Sequence, residues 1–167
     1  MNRHIVVILH DIRSTHNVGS IIRTAEALGV NQLMFSGYTP FPKHETDTRL
    51  PHVANKLDTQ INKTALGAQN YIDWEVWTNP IDMLINKLRS ENFQILALEQ
   101  HKHSIDLESY LPEPKIALVL GSEVTGVDVN TLKQCDQIIE IALPGKKESL
   151  NVVQAAAIAF YKLSILP

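Results

Sequence analysis

Three polar clusters in this sequence contain residue types that can bind anions and polarise hydroxyl groups. The first, residues 11–23, ends with Arg23, whose guanidinium could hold a phosphate and polarise a nearby hydroxyl. The second, residues 121–126, reads GSEVTG and carries Glu123, which could orient a ligand or a partner's arginine. The third, residues 143–151, ends in a Ser-Leu-Asn step whose hydroxyl, amide and free backbone N–H groups would form a binding corner.

Each cluster also has a simple structural interpretation. Asn17 and Ser149 are both of types that commonly cap helices, and Glu123 could be a solvated side chain on a tight turn. The GxGxxG fingerprint, the P-loop and the GxSxG hydrolase motif do not occur in the sequence. Cys135 has no histidine nearby in sequence, and we interpret it as a buried filler rather than a nucleophile. One at a time, the clusters leave both interpretations open.

The periodicity of apolar residues predicts alternating strands and helices. The strands are apolar throughout, as in a sheet that is buried on both faces, which indicates a three-layer α/β domain with a mainly parallel six-stranded sheet. In such sheets ligands bind beyond the carboxyl ends of the strands, where all three clusters lie, so we expect one composite site. The predicted strands are 5–9, 32–36, 74–77, 93–98, 115–120 and 137–141, and the predicted helices are 18–28, 81–89, 128–134 and 152–163.

Finer boundaries follow from capping and turn residues. We assign Asn17 as the N-cap of the first helix and Gly29 as its C-terminal stop. Residues 37–58 hold three prolines and several charges without sustained periodicity, which predicts a long functional or mobile loop. Residues 63–68 are predicted to form a short helical turn.

Composition and charge restrict the class of protein. The 167 residues, 44% hydrophobic and 20% charged, indicate one globular domain over residues 1–167. No apolar run approaches a membrane span, the N-terminus is charged too early for a signal peptide, and the single cysteine fits a reducing compartment; we therefore expect a cytoplasmic protein. The seven histidines lack convincing ligand spacing, so we expect no metal site. A net charge of -3 argues against coating nucleic acid by bulk electrostatics, but a local basic patch would suffice to bind phosphates.

The order of the motifs is more specific than any one of them. NVGSIIRTAEALGV (17–30), LVLGSEVTGV (118–127) and IALPGKKESLNVVQAAAIA (141–159) strongly resemble, in that order, the three signature motifs of the SpoU/TrmH group of SPOUT RNA methyltransferases. The resemblance covers almost the whole chain. It implies an α/β fold with a C-terminal deep trefoil knot, a homodimer, and S-adenosylmethionine bound in the knot beside the subunit interface.

The reaction implied by the resemblance is methyl transfer to a ribose 2′-hydroxyl of tRNA or rRNA. Arg23 would ease deprotonation of the hydroxyl, Asn17 would position Arg23 or the ribose, and Glu123 would orient the arginine. Ser149 and Asn151 would shape the pocket. The positions that match the family's catalytic residues are Arg23, Asn17, Glu123, Ser149 and Asn151, and those that match its cofactor loops are Leu98, Glu99, Gly121, Ile141, Leu143 and Leu150.

Some residues depart from the family pattern. The third motif usually reads Ile-Pro-Met, whereas this chain has Ile-Ala-Leu at 141–143, and Val153 stands where many members carry a small hydroxyl residue. With no appended RNA-binding domain expected, RNA recognition would fall to the loop 37–58 and to surface cations. The RNA-binding candidates are Arg13, Lys43, Arg49 and Lys63. A non-catalytic RNA-binding relative and an unrelated α/β small-molecule enzyme remain as alternatives.

Overall fold

The computed structural model describes residues 3–165 and shows strands alternating with helices along the chain. The strands are β1 His4–His10, β2 Gln32–Ser36, β3 Asp73–Trp77, β4 Gln94–Leu98, β5 Ile105–Asp106, β6 Lys115–Leu120 and β7 Gln137–Glu140. The helices are α1 Thr15–Ala27, α2 Pro51–Ala65, α3 Ile81–Ser90, α4 Val129–Leu132 and α5 Val152–Ser164, with a single 3₁₀ turn at Ala68–Asn70.

The strands form one sheet in the order β3-β2-β1-β6-β4-β7-β5, and every neighbouring pair is parallel. The parallel prediction is confirmed, and the part of the chain described here contains one strand more than the six expected. The extra strand, β5, has two residues and pairs with β7 at the edge of the sheet. Two residues are too few to show any periodicity, so the sequence pattern missed it.

Helices cover both faces of the sheet, which explains the continuous apolar runs of the central strands β1 and β6. On one face, Val7 of β1 belongs to a core that also contains buried residues of α1, α2 and α5. On the other face, Ile8 of β1 belongs to a core with buried residues of α3 and α4. The chain is therefore the three-layer α/β domain that the pattern predicted.

The start of α1 differs from the prediction in one useful detail. Ser14 is the N-cap, and its hydroxyl accepts a hydrogen bond from the backbone N–H of Asn17 at 3.2 Å. Both residue types are good caps, and their position in the fold decides between them. Because Ser14 caps the helix, the Asn17 side chain is available for a contact elsewhere. Gly29 follows the C-cap with φ 75°, as expected for the residue that stops the helix.

The helices α1 and α2 approach each other closely at Gly19. A Cβ atom there would lie 2.2 Å from the carbonyl oxygen of Ile61 and 2.3 Å from the Thr64 hydroxyl. The same hydroxyl donates to the carbonyl of His16 across the helix pair at 2.9 Å. This contact requires glycine and fixes the position of α1 on the domain.

The predicted loop 37–58 is shorter than expected, because α2 begins at Pro51. The same helix includes the first half of the short turn predicted at 63–68. Only Ala54, Ile61 and Ala65 of this helix are buried, so its apolar stripe is too sparse to be recognised in sequence. The other predicted elements are present; 32–36 and 115–120 have the predicted boundaries, and the boundaries of the rest differ by up to three residues. Within residues 3–165 no helix is both long enough and apolar enough to cross a membrane.

Candidate active site

A pocket of about 510 Å³ lies at the carboxyl edge of the sheet, where β4, β6 and β7 end. This is the position predicted for ligands in a parallel sheet, and the volume falls in the usual range for small-molecule sites. All six residues predicted for cofactor contact line it: Leu98, Glu99, Gly121, Ile141, Leu143 and Leu150. Three of the five predicted catalytic residues also line it: Glu123, Ser149 and Asn151.

The turn after β6 has a geometry that only glycine allows at its first position. Ser122 and Gly126 exchange two backbone hydrogen bonds, of 3.1 and 2.9 Å, which close the turn. A Cβ atom on Gly121 would lie 2.3 Å from the carbonyl carbon of Gly126. The Ser122 side chain is buried and accepts from the backbone N–H of Val124 at 3.2 Å. The turn is therefore a rigid wall of the pocket.

Glu99 supports this turn from the end of β4. One carboxylate oxygen accepts from the backbone N–H of Val127 at 2.8 Å, and the other accepts from that of Gln100 at 3.0 Å. A Cβ atom on Gly126, which has φ 64°, would lie 2.0 Å from the Glu99 carboxylate. Glu99 thus joins two of the loops that form the pocket.

The third loop, residues 141–150, is held much less firmly. In the described part of the chain, the backbone of residues 142–150 makes no hydrogen bond, and most of these residues are exposed. Free backbone donors and acceptors beside an apolar wall suit a ligand that has both polar edges and an apolar face. The loop therefore supplies the pocket with unpaired polar groups.

The helix α5 begins at the mouth of the pocket, and its cap is Asn151 rather than Ser149. The Asn151 side chain accepts from the backbone N–H of Val153 at 2.8 Å, and Gln154 completes a capping box. The hydroxyl of Ser149 makes no hydrogen bond to any residue between 3 and 165, so it remains available to a ligand.

Glu123 connects the pocket to the start of α1. Its carboxylate accepts from Asn17 Nδ2 at 2.8 Å and from the backbone N–H groups of Arg13 at 2.9 Å and Ser14 at 3.1 Å. Burial by itself would raise the pKa of Glu123, but these hydrogen bonds together lower it below its usual value. The carboxylate is therefore ionised at neutral pH and fixes the first motif against the second.

Arg23 follows Asn17 on α1 by about 1.7 turns and is exposed. Within residues 3–165 its guanidinium forms no hydrogen bond or ion pair, and it does not line the pocket. Within residues 3–165 Glu123 contacts Asn17 and forms no hydrogen bond or ion pair with Arg23, so the contact by which this carboxylate would orient the arginine is not present there. The exposed guanidinium is available to an external phosphate or to a second copy of the site.

The four candidate RNA-binding cations have different surroundings. Arg49 packs 3.6 Å from the centre of the Phe41 ring, bonds to Asp47, and donates to the carbonyls of Phe41 and Pro42. Its guanidinium therefore holds the loop 41–50 together and lowers the pKa of Asp47 well below its usual range. The side chains of the other three, Arg13, Lys43 and Lys63, are exposed.

Sequence reasoning missed Tyr38, which is exposed beside Arg13. The Arg13 guanidinium lies 5.7 Å from the centre of the Tyr38 ring. The Tyr38 side chain raises the pKa of Arg13 further, so the arginine stays charged. An aromatic residue after Gly37 in a strand-end loop was the available signal, because a tyrosine in such a loop is seldom needed for a core.

Cys135, the single cysteine of the sequence, is partly buried after α4. Burial raises the pKa of the Cys135 thiol to about 12, and the thiol contacts the carbonyl of Thr131. A thiol of this kind is a poor nucleophile. In residues 3–165 no group of three or more histidine, cysteine or carboxylate side chains could hold a metal ion.

Comparison with known proteins gives a consistent assignment. The model of the SpoU rRNA Methylase family matches residues 4–161. An uncharacterised tRNA/rRNA methyltransferase of Synechocystis is 33% identical over 95% of this chain and 37% of its own length. A tRNA (guanosine(18)-2′-O)-methyltransferase of Borreliella burgdorferi is 28% identical over 96% of this chain and 66% of its own length. The chain thus spans between about a third and two thirds of these relatives.

Solved structures agree on the fold. The AdoMet-bound rRNA methyltransferase of Sinorhizobium meliloti superposes with a TM-score of 0.76 at 22% identity, covering 98% of this chain and 56% of that one. At this identity the match supports the architecture alone. The family match over nearly the whole sequence shows that this chain belongs to the SpoU rRNA Methylase family.

Proposed function

We propose that this chain is an S-adenosylmethionine-dependent methyltransferase that acts on a ribose 2′-hydroxyl of tRNA or rRNA. The observation that carries the proposal is the pocket at the carboxyl edge of the sheet, which all six predicted cofactor residues line. Family membership and the names of the relatives, which include both tRNA and rRNA methyltransferases, support the reaction and the substrate class.

The pocket fits the proposed cofactor on its own features. Its volume of about 510 Å³ suits a nucleoside with an amino-acid tail. The unpaired backbone groups of residues 142–150 would satisfy the polar edge of an adenine, and the side chains of Ile141 and Leu143 would contact its faces. When bound, the cofactor supplies an electrophilic methyl group on a sulfonium. The Ile-Ala-Leu sequence at 141–143 keeps the apolar lining that such a pocket needs.

The chain's own contribution to the reaction is positioning and charge. Glu123 and Asn17 hold the start of α1 at the mouth of the pocket, where the ribose would enter. Arg23 would bind an RNA phosphate and stabilise the developing negative charge on the 2′-oxygen. The bond between the methyl carbon and sulfur would break as the bond between that carbon and the 2′-oxygen forms, and the hydroxyl proton would pass to the RNA phosphate or to water. Because the sulfonium leaves as a neutral thioether and needs no proton, alignment of the oxygen with the methyl carbon would supply much of the rate.

The proposed active form is a homodimer. Ile158 and Tyr161 of α5 and its C-cap Ile165 are each about half exposed, at the i, i+3 and i+7 spacing of one helix face, and form an apolar stripe. A second copy packed on this stripe would bury it. Light scattering at micromolar concentration tests this, and a clean monomer would contradict it.

Two finer proposals rest on family membership. We propose that the segment from β7 through α5 forms the deep trefoil knot of the family, since β7 lies between β4 and β5 and the loop after it borders the pocket. We also propose a cytoplasmic location, where tRNA and ribosomes are methylated.

The activity is tested with labelled S-adenosylmethionine and pools of tRNA and rRNA, followed by mapping of the modified nucleotide. We expect label at a 2′-oxygen and loss of transfer in Arg23→Ala, with cofactor affinity unchanged within a few fold. Lys133→Ala, which removes an exposed cation at the end of α4, is the matched control and should stay active. Full turnover by Arg23→Ala would refute the role of Arg23. Cofactor binding without transfer to any RNA would favour a non-catalytic RNA-binding relative.

A further inference from the structure

An exposed aromatic side chain, Tyr38, lies at the same edge of the sheet as the pocket, after a strand two positions from β6, and has no role in the core. Tyr38 follows β2 at the carboxyl edge of the sheet, and its side chain is 56% exposed. Its neighbour Thr39 is buried and carries the structural contacts of the segment, so the tyrosine ring itself is free of them.

The backbone beneath Tyr38 is held rigidly. The Tyr38 N–H donates to Asp11 Oδ1 at 3.0 Å, and Gly37 adopts φ 66°, where a Cβ atom would collide with that carboxylate. The Thr39 hydroxyl donates to the carbonyl of Leu9 at 2.8 Å and accepts from the backbone N–H of Ile12 at 3.1 Å. The ring therefore projects into solvent from a fixed base, which keeps the entropy cost of binding a ligand low.

The position of Tyr38 is coupled to the active site through Arg13. The Arg13 guanidinium lies 5.7 Å from the ring centre, and its backbone N–H donates to the Glu123 carboxylate at 2.9 Å. Tyr38 thus contacts Arg13, and Arg13 contacts Glu123, which lines the pocket. The aromatic face and the cation beside it are therefore linked to the pocket through one residue. Unpaired bases stack on such faces, and the cation suits the adjoining phosphate.

We propose that Tyr38, with Arg13 beside it, is the stacking surface for an unpaired base next to the target nucleotide, so that the substrate is an RNA loop or single strand rather than a duplex. In a duplex both faces of each base are covered by neighbouring bases, and the ring would have nothing to stack against. This inference rests on the proposed RNA methyltransferase function and specifies the substrate class of the same site.

Fluorescence anisotropy with two labelled RNAs of equal length and composition tests the proposal. One probe is a hairpin with an unpaired loop, and the other is fully paired. We expect wild-type protein to prefer the hairpin, Tyr38→Ala to bind it about tenfold more weakly, and Tyr38→Phe to bind it within about twofold of wild type. Tyr71→Ala, which removes a tyrosine that is 81% exposed beside β3, is the matched control and should leave hairpin affinity unchanged.

Each other outcome has a definite meaning. Equal hairpin affinity of Tyr38→Ala and wild type, an equal loss on both RNAs, or no preference of wild type for the hairpin overturns the stacking surface. Methyl transfer measured on the same preparations separates the two proposals. Transfer with an unaffected Tyr38→Ala variant sinks only the stacking surface, whereas no transfer to any RNA sinks the proposed function. Because Tyr38 is exposed, the melting temperature should not change, and a lowered one would show a structural role instead.

Discussion

The contact between Asn17 and Glu123 joins the first motif to the second, and the Asn17→Asp substitution tests its importance almost without a change of shape. The substitution replaces a donor that lies 2.8 Å from the Glu123 carboxylate with a second carboxylate. After relaxation to about 4 Å, repulsion between the two costs about 1 kcal/mol in water and about 4 kcal/mol at a surface dielectric of about 20. Because Glu123 is exposed, the lower part of this range applies.

The lost hydrogen bond adds to the repulsion. We therefore expect the free energy of unfolding to fall by about 2–3 kcal/mol at neutral pH, and Tm to fall by about 5–10 °C. Repulsion raises the pKa of the carboxyl pair in the folded variant, so the folded state binds a proton more tightly than the unfolded chain. The penalty is full above the raised pKa and is lost as the pH falls towards the ordinary carboxyl value of about 4.

The assay is thermal unfolding of wild type and variant at about pH 7.5 and about pH 5. Wild-type Glu123 has a lowered pKa and stays ionised over this range. The difference in Tm between the two proteins should therefore shrink at the lower pH because the repulsion in the variant is relieved. Asn79→Asp adds the same charge at an exposed position and should change Tm little at either pH. A Tm of Asn17→Asp equal to that of wild type at pH 7.5, or a deficit that does not shrink on acidification, would refute the reasoning.

A compensating change at Glu123 provides a second check of the geometry. In the double variant Asn17→Asp with Glu123→Gln, the introduced amide can donate to the new carboxylate. In the wild type, the backbone N–H of Ser14 and the side chain of Asn17 both donate to the same Glu123 oxygen. In the double variant the amide nitrogen would take the place of that oxygen, so it would face the Ser14 N–H, which is also a donor. We therefore expect partial rather than full recovery at neutral pH. The remaining deficit relative to wild type should change little between about pH 7.5 and about pH 5, because the double variant has one carboxylate here instead of two.

Three further predictions concern glycines and the loop 41–50. Gly19→Ala should gain about 1 kcal/mol in helix propensity, but we expect overpacking against Ile61 to exceed this gain by about 1–3 kcal/mol. We therefore expect a lower Tm, and a higher Tm would contradict the close contact between the helices. Gly121→Ala should weaken S-adenosylmethionine binding by about tenfold or more in calorimetry, whereas Gly145→Ala, whose Cβ would meet nothing within 4 Å, should bind as wild type does. Arg49→Lys cannot reproduce the planar set of donors, and we expect faster proteolysis in its loop; unchanged cleavage would contradict a structural role for the arginine.

Much of the fold could be predicted because the strands are strongly apolar. β2 and β6 have the predicted boundaries, since a parallel strand buried on both faces ends where its apolar run ends. The pocket residues could be predicted because two independent arguments, the carboxyl edge of the sheet and the family motifs, lead to the same loops. β5 and α2 could not be predicted, because their sequence patterns are too weak. β5 has only two residues, and α2 has only three buried positions among its fifteen.

The details of the site depend on long-range contacts that no local pattern contains. Ser14 and Asn17 are equally good caps in isolation, and only the Glu123 carboxylate, more than a hundred residues away, decides which side chain remains free. Likewise the sequence presents Arg13 and Arg49 as equal surface cations. The structure shows that Arg49 is bound within its own loop and that Arg13 stands beside Tyr38.

Calorimetric titration of the purified protein with S-adenosylmethionine and S-adenosylhomocysteine tests the central claim most directly. The pocket formed by the three loops should bind each of them saturably, at about one molecule per chain, before any RNA is added. Absence of binding by either compound would contradict the assignment of this pocket as the cofactor site.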